Sequence, residues 1–418
     1  DPDPDDLEDP MFGESDQSSD DESETMSVDY PYDDESNHVM YHYNEWFNDI
    51  SHIVHNTIAL PPNPKNVDEA LAGPDGDKWN AAITKELSQF EIRNTFGPAE
   101  QVGQGMKTKL ILYYKYDGEY NIVCKARLVV CGYSQRKGID YHETYSPTTT
   151  NPIVFLLLHL AGNRRLCTAS FDVSAAYLEG RSDTRMYAWL PAALSTTNTS
   201  VRIEILGNWY GSKQAGKIWN DLFHAVVLQM NFVQCPVMPC LYMWVDGADI
   251  IILTVHVDDG LIVCSNVQLA EQFMAALLTH IRKAVLYTTV KLYLGMDIVC
   301  SDDGSVYSVN QRRYIEKEFS NYHHKVRTPM SVTSNLRIAE PCMHNESLLH
   351  DTGRFRYLAD RTRPVILVAV GEVSTGGADA PSDQHVQVSS RIMNYLTCTK
   401  DISVHLGGDG PVEMFAYC

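Results

Sequence analysis

The strongest constraint on how this chain folds is a sixteen-residue stretch, IIILTVHVDDGLIVCS, from Ile250 to Ser265. Two short apolar, β-branched runs meet there at Asp258-Asp259-Gly260. Such runs read as strands, and a polar break with glycine between them reads as a hairpin turn. The tip is therefore acidic. Neighbouring carboxylates oppose joint ionisation unless something positive lies between them. A divalent cation is the usual remedy, and hard oxygen ligands without clustered His or Cys favour Mg²⁺ over zinc. Taken by itself, the triplet is explained more simply as an ordinary exposed turn, which Asp and Gly commonly make.

A two-metal site needs a third acid from another buried strand. Asp172 stands where the apolar run Cys167 to Val173 should end. Further elements follow from periodicity. Trp79, Ile83, Leu87 and Phe90 recur at helical spacing and predict an amphipathic helix. Leu110 to Tyr116 and Tyr120 to Cys131 read as two antiparallel strands around an Asp117-Gly118 turn. KIWNDLFHAVVLQM places Ile218, Trp219, Leu222, Phe223, Val226 and Met230 on one helical face. Asn266 should cap a helix through QLAEQFMAALLTHIRKA, and KLYLGMDIV with SVYSVNQRRYIEKEF adds a hairpin and a helix. No internal repeat is visible.

The formal charge of −21 opposes a uniformly basic nucleic-acid binder, but it is unevenly spread. No Lys or Arg precedes Lys65, while 18 acids do, so the body from Lys65 onward carries a net of only −3. Residues 1 to 64 are expected to form an acidic disordered tail or linker, with Trp46, Phe47, Ile50, Ile53 and Val54 as a short docking segment. From Lys107 to Arg165 nine bases face four acids, a local excess of five positive charges that suits phosphate contacts. A window of that size also reaches such an excess by chance.

Ten scattered cysteines without a repeating spacing point to a reducing compartment. Cys235 and Cys240 lack a histidine pair and read as small buried residues, not a zinc site. No apolar run reaches the roughly 18 residues that a membrane helix needs, so no membrane contact is expected. The chain begins at Asp1 and not at Met, so a piece of something longer is expected.

The ordered segments KARLVVCGYSQRKGIDYHETYSP, FDVSAAYLEG, WYGSKQAGKIW and VHVDDGLIV together resemble the reverse transcriptase of copia-type (Ty1/copia) retrotransposons. KARLVVCGYSQRKGIDYHETYSP (Lys125 to Pro147) is similar to the family's fingers, and FDVSAAYLEG (Phe171 to Gly180) to its first palm motif. WYGSKQAGKIW (Trp209 to Trp219), VHVDDGLIV (Val255 to Val263), and KLYLGMDI with SVNQRRYIEKEF and TPM resemble later motifs. RTRPVILVAV and PSDQHVQVSSRIMNYLTCTKD resemble the connection beyond them. The similarity covers roughly residues 67 to 400.

The resemblance implies an α+β right-hand polymerase: fingers, a palm on a mostly antiparallel sheet, and a thumb and connection. Fingers and palm would occupy 65 to 265, palm end and thumb 266 to 335, and a connection-like segment 336 to 418, cut before ribonuclease H. The implied activity is RNA-directed DNA synthesis on an RNA or DNA template with a primer, from deoxynucleoside triphosphates (dNTPs). Asp172, Asp258 and Asp259 would hold two Mg²⁺ ions, with Mn²⁺ a substitute, for in-line nucleotidyl transfer. Lys125 and Arg127, two apart on a strand and so on one face, would contact the triphosphate. A solvated edge face is their plainer reading. Gln214, with Lys213, matches the segment over the nascent base pair, although a polar helix-start residue fits equally well. Tyr177 would select deoxynucleotides by blocking a ribose 2′-hydroxyl; without the resemblance it reads as core. Partners would include other parts of the retroelement polyprotein, and the location would be cytoplasmic, in a virus-like particle, with nuclear entry open to it.

The chain departs from the family pattern at several points. His256 replaces the usual Tyr before the Val-Asp-Asp triplet, and Trp209 and Ser212 replace leucines. Gly216-Lys217 replaces a Pro-Arg pair, and about half a dozen residues are missing between Tyr357 and Arg361. Cysteine-histidine modules of a nucleocapsid or integrase are absent from the sequence, as is the ribonuclease H carboxylate series, so RNA cleavage is not expected. Asp351-Thr352-Gly353 spells an aspartic-protease signature, but Arg354-Phe355-Arg356 follow where small apolar residues should, and a protease is set aside. Two alternatives stay open: a decayed or co-opted remnant that binds nucleic acid or serves structurally, and an acidic tail that docks a basic partner.

Overall fold

Two helices open the described part of the computed structural model, α1 at Val67–Ala72 and α2 at Gly76–Ile92. Residues 60–100, 102–116, 121–195, 199–331, 346–377 and 382–410 are described. The expected tail, apart from residues 60 to 64, lies outside them, as does the Asp117-Gly118 turn. Asn66 caps α1, its side chain accepting the Glu69 N–H at 2.8 Å. The apolar stripe of α2 buries Trp79, Ile83 and Phe90, but Glu86 is buried beside them.

Helix α2 lies on a hairpin of β2 (Met106–Tyr116) and β3 (Ile122–Val130), where Trp79 and Ile83 meet Leu112 and Ala126. With β1 (Phe96–Glu100), β5 (Arg181–Leu190) and β6 (Val201–Gly207), these strands form a sheet of order β1-β6-β5-β2-β3. The β2–β5 pair is parallel and its neighbours are antiparallel. Strand β3 is left at an edge.

The palm sheet has six strands, all antiparallel to their neighbours: β4 (Cys167–Val173), β7 (Val233–Gln234), β8 (Leu241–Asp246), β9 (Asp249–His256), β10 (Asp259–Cys264) and β11 (Ala284–Tyr287). Their order is β11-β4-β10-β9-β8-β7. Helix α3 (Asn151–Arg164) covers one face, and α4 (Ala215–Gln229) and α5 (Val267–Leu277) cover the other. In β10, Ile262 and Cys264 pack with α4 and α5, while Leu261 and Val263 pack with α3. Burial on both faces explains why that strand is a continuous apolar run and not an alternating one. Asn266 caps α5 as expected, accepting the Leu269 N–H at 3.1 Å. The helix stops at Leu277, short of the expected Ala284, because Ala284 already pairs with Val173.

A small sheet of β12 (Leu292–Tyr293), β13 (Met296–Cys300) and β14 (Val306–Asn310) packs under α3, and the distant β15 (Val404–Gly407) completes it through Val309↔Val404 and Val306↔Gly407. Helix α6 (Arg312–Phe319) joins α7 (Glu346–Ala359), α8 (Leu367–Gly377) and α9 (Asp383–Cys398) in a separate core around Phe319, Phe355 and Ile392. Asp351-Thr352-Gly353 lies within α7, where Asp351 pairs with Arg354, and does not form a catalytic loop. The described cysteines are all free thiols. No described helix is long and apolar enough to cross a membrane. The α+β right-hand organisation expected from the motifs is the one found.

Candidate active site

Strands β9 and β10 are joined by Val257 and Asp258 alone. Val257 takes the left-handed φ of 62° that such a tight turn demands. The expected tip, Asp258-Asp259-Gly260, is therefore corrected: Asp259 and Gly260 already belong to β10. Long-range pairing is the reason, since Asp259 stands opposite both His256 on β9 and Asp172 on β4. Glycine is needed at 260 for close approach to Phe171, not for turning.

The ladder fixes how the carboxylates meet. The Val173 N–H donates to the Asp258 carbonyl at 2.9 Å, so the adjoining Asp172↔Asp259 pair is of the non-hydrogen-bonded kind. In such pairs the Cα atoms are about 4.5 Å apart and the side chains share one face. His256, Asp259, Asp172 and Val285 thus form a row across four strands. Asp258 hangs from the turn beside them.

Burial, then Asp258, then Asp172 push the Asp259 carboxyl up to about 6. Asp172 is also raised, first by burial and next by Asp258, while Lys115 and Lys125 partly offset this. No hydrogen bond contributes to either shift. Among the described residues no three His, Cys, Asp or Glu side chains already close around a point that would hold a metal ion. The donor set nevertheless suits one: half-buried carboxylates, unpartnered and mutually repelling, are what a hard cation relieves.

The hairpin of β2 and β3 supplies the opposing charge. Ala126, Leu128 and Val130 are buried on one face of β3, which puts Lys125 and Arg127 together on the other. The Arg127 guanidinium lies 4.5 Å from the Tyr210 ring centre, and its buried Nε has no hydrogen-bond partner. Lys125 is held below the usual lysine range by burial, opposed by Glu86. Glu86 accepts the Leu128 N–H at 3.0 Å and is itself raised by burial. Tyr177, on a short 3₁₀ turn at Ala176–Glu179, packs against Tyr210 at 5.7 Å between ring centres. Burial raises its hydroxyl, Asp258 adds to that, and Arg127 opposes it. Lys115, Tyr210 and Glu86 were not among the expected site residues. The basic Lys107–Arg165 window and a place on the same hairpin face as Lys125 were the signals for Lys115, and burial hid the other two.

Gln214 and Lys213 make their contacts with the 132–141 segment. Gln214 is fully buried, accepting from Gln135 Nε2 at 2.9 Å and donating to the Asp140 carbonyl at 3.3 Å. The Lys213 N–H donates to Gln135 Oε1 at 2.7 Å, and its Nζ lies 4.9 Å from the Tyr141 ring centre. Lys217 pairs with Asp221. A cleft of about 490 Å³ beside the start of α4, lined by Glu143, Tyr145, Lys217 and His224 among others, includes none of the three aspartates.

Residues 99 to 331 match the family described as Reverse transcriptase (RNA-dependent DNA polymerase). The chain is 26% identical over 366 residues to the Retrovirus-related Pol polyprotein from transposon TNT 1-94 of Nicotiana tabacum, covering 84% of this chain and 27% of that protein. It is 26% identical over 377 residues to the corresponding polyprotein from transposon RE1 of Arabidopsis thaliana, covering 86% and 25%. The chain thus spans about a quarter of the length of these curated relatives. Among solved structures, the foamy viral protease-reverse transcriptase in complex with double-stranded DNA aligns over 77% of this chain and 48% of that one, at 12% identity and a TM-score of 0.41.

Proposed function

Because the chain belongs to the reverse transcriptase (RNA-dependent DNA polymerase) family, and to its Ty1/copia kind, we propose that it extends a primer on an RNA or DNA template from dNTPs. The observation that carries this reading is the Asp172↔Asp259 register pair with Asp258 beside it, facing the cationic side of β3. Asp172, Asp258 and Asp259 are the residues that would hold two Mg²⁺ ions, or Mn²⁺ in their place. Bound there, the ions would acidify the primer 3′-hydroxyl and neutralise the triphosphate.

The chain's own side chains do the rest. Lys125 and Arg127 receive the triphosphate oxygens, and the unpartnered Arg127 Nε is a donor in want of such an acceptor. The Tyr210 face keeps the guanidinium planar to its target. Tyr177 presents its ring beneath the sugar and excludes a 2′-hydroxyl. Gln214 and Lys213 act near the nascent base pair by fixing the 132–141 segment, since the Gln214 amide is already committed to Gln135 and Asp140. The product leaves with pyrophosphate released. The wider setting we assign is a retroelement polyprotein in a cytoplasmic virus-like particle, with later nuclear entry.

Primer extension on an RNA template with Mg²⁺ and dNTPs tests this directly. Product should form with the wild type and fall to background with Asp258→Asn. Equal extension by the variant, or no product from either, removes the catalytic assignment and leaves the reading of a co-opted remnant.

A further inference from the structure

Cys167 and Cys264 stand directly opposite one another on β4 and β10, at the end of the two strands remote from Asp172 and Asp259. Their geometry follows from the ladder. Val173 and Asp258 form a hydrogen-bonded pair, and that pair type recurs every second residue, so Cys167 and Cys264 are one as well. Cα atoms in such pairs lie about 5.5 Å apart. Disulfides favour Cα separations of about 5.5–6 Å. Both side chains stand on the sheet face that packs with α4 and α5. Cys264 is buried and Cys167 only half so, and both are free thiols. The proposed polymerase chemistry uses neither.

We propose that Cys167 and Cys264 are a dithiol site that a small disulfide, such as oxidised glutathione, closes into a cross-strand disulfide. The Cys167 thiolate attacks one sulfur of the oxidant, whose S–S bond breaks and releases one glutathione thiolate. Cys264 then loses its proton to solvent, and its sulfur attacks Cys167 Sγ and displaces the second glutathione. Two protein thiols are oxidised and one small disulfide is reduced to two thiols. Burial and the neighbouring thiol push Cys264 up to about 11, which makes the second step slow and base-dependent. The product is a staple between the strands that bear Asp172 and Asp259, and it closes the loop containing α4 and β5 to β9 without entering the site.

Treating the full chain with oxidised glutathione, then mapping peptides by mass spectrometry and following urea unfolding, tests this. The expected result is a Cys167–Cys264 cross-linked peptide lighter by two hydrogens and a higher urea midpoint that dithiothreitol reverses. Cys167→Ser, at the more exposed position, should abolish both effects, and Cys300→Ser should abolish neither. A glutathione adduct that stays on Cys167, a link to Cys300, no reaction, or a cross-link that leaves the midpoint unmoved would each overturn the proposal.

Discussion

A Cβ placed on Gly260 would come within 2.1 Å of Phe171 Cε1. The ring occupies the space a side chain would need, and it does so one register step from Asp172↔Asp259. Gly260→Ala should therefore strain the β4–β10 contact that sets the carboxylates, costing about 1–3 kcal/mol. Urea unfolding measures the cost. Phe171→Leu in the same chain should recover part of it, and a double variant no better than Gly260→Ala would refute the steric account.

Asp259 makes stability depend on pH in a definite direction. Its carboxyl moves from an ordinary 3.8 to about 6 on folding, so the folded chain holds the proton more tightly. The favourable contribution is complete below 3.8 and is lost as pH rises through about 6. Because the group is only partly buried, a discounted figure of about 1–2 kcal/mol applies. Without divalent cation, wild type should lose about that much more stability than Asp259→Asn between pH 4 and 7. Identical pH profiles for the two would defeat the prediction.

Arg127 offers both a flat face to Tyr210 and a free Nε donor. Lysine supplies charge without either property, so Arg127→Lys should raise the KM for dNTP roughly three- to thirtyfold with a smaller change in kcat. Tyr210→Phe keeps the ring face and should leave KM within about twofold. Steady-state extension with varied dNTP separates these outcomes; an unchanged KM in Arg127→Lys counts against the triphosphate role.

Gln214 bridges Gln135 and Asp140 in a fully buried setting. Gln214→Ala strips partners from a buried amide and a carbonyl, at about 1–3 kcal/mol. Gln214→Glu can still accept from Gln135 but cannot donate to Asp140, and should fall between. Limited proteolysis of the 132–141 segment should accelerate in the same order, and equal rates in all three chains would exclude the bridging role.

Periodicity made the helices of the palm and most of its strands legible, because Trp219, Phe223 and Val226 or Leu261 and Val263 repeat at the spacing their faces require. The three aspartates were legible as acids at strand ends. Their mutual geometry was not, since it depends on pairing between segments far apart in the chain. The same distance explains Gln214: its identity was readable, but Gln135, Asp140 and Met186 come from other segments of the chain. Glu86 was hidden by its own apolar stripe. A buried carboxylate there makes sense only once β3 is seen as an edge strand whose Leu128 N–H needs an acceptor.

Strand β15 changes what counts as the smallest viable version of this molecule. The family match ends at residue 331, yet Val404–Gly407 supplies the outer neighbour of β14, beneath the helix that supports the palm. A chain cut at the motif boundary would leave β14 as a bare, adhesive rim and invite filament-like association through it. The matched family region is therefore shorter than the unit whose packing must stay intact, and destabilising substitutions can fall well beyond residue 331.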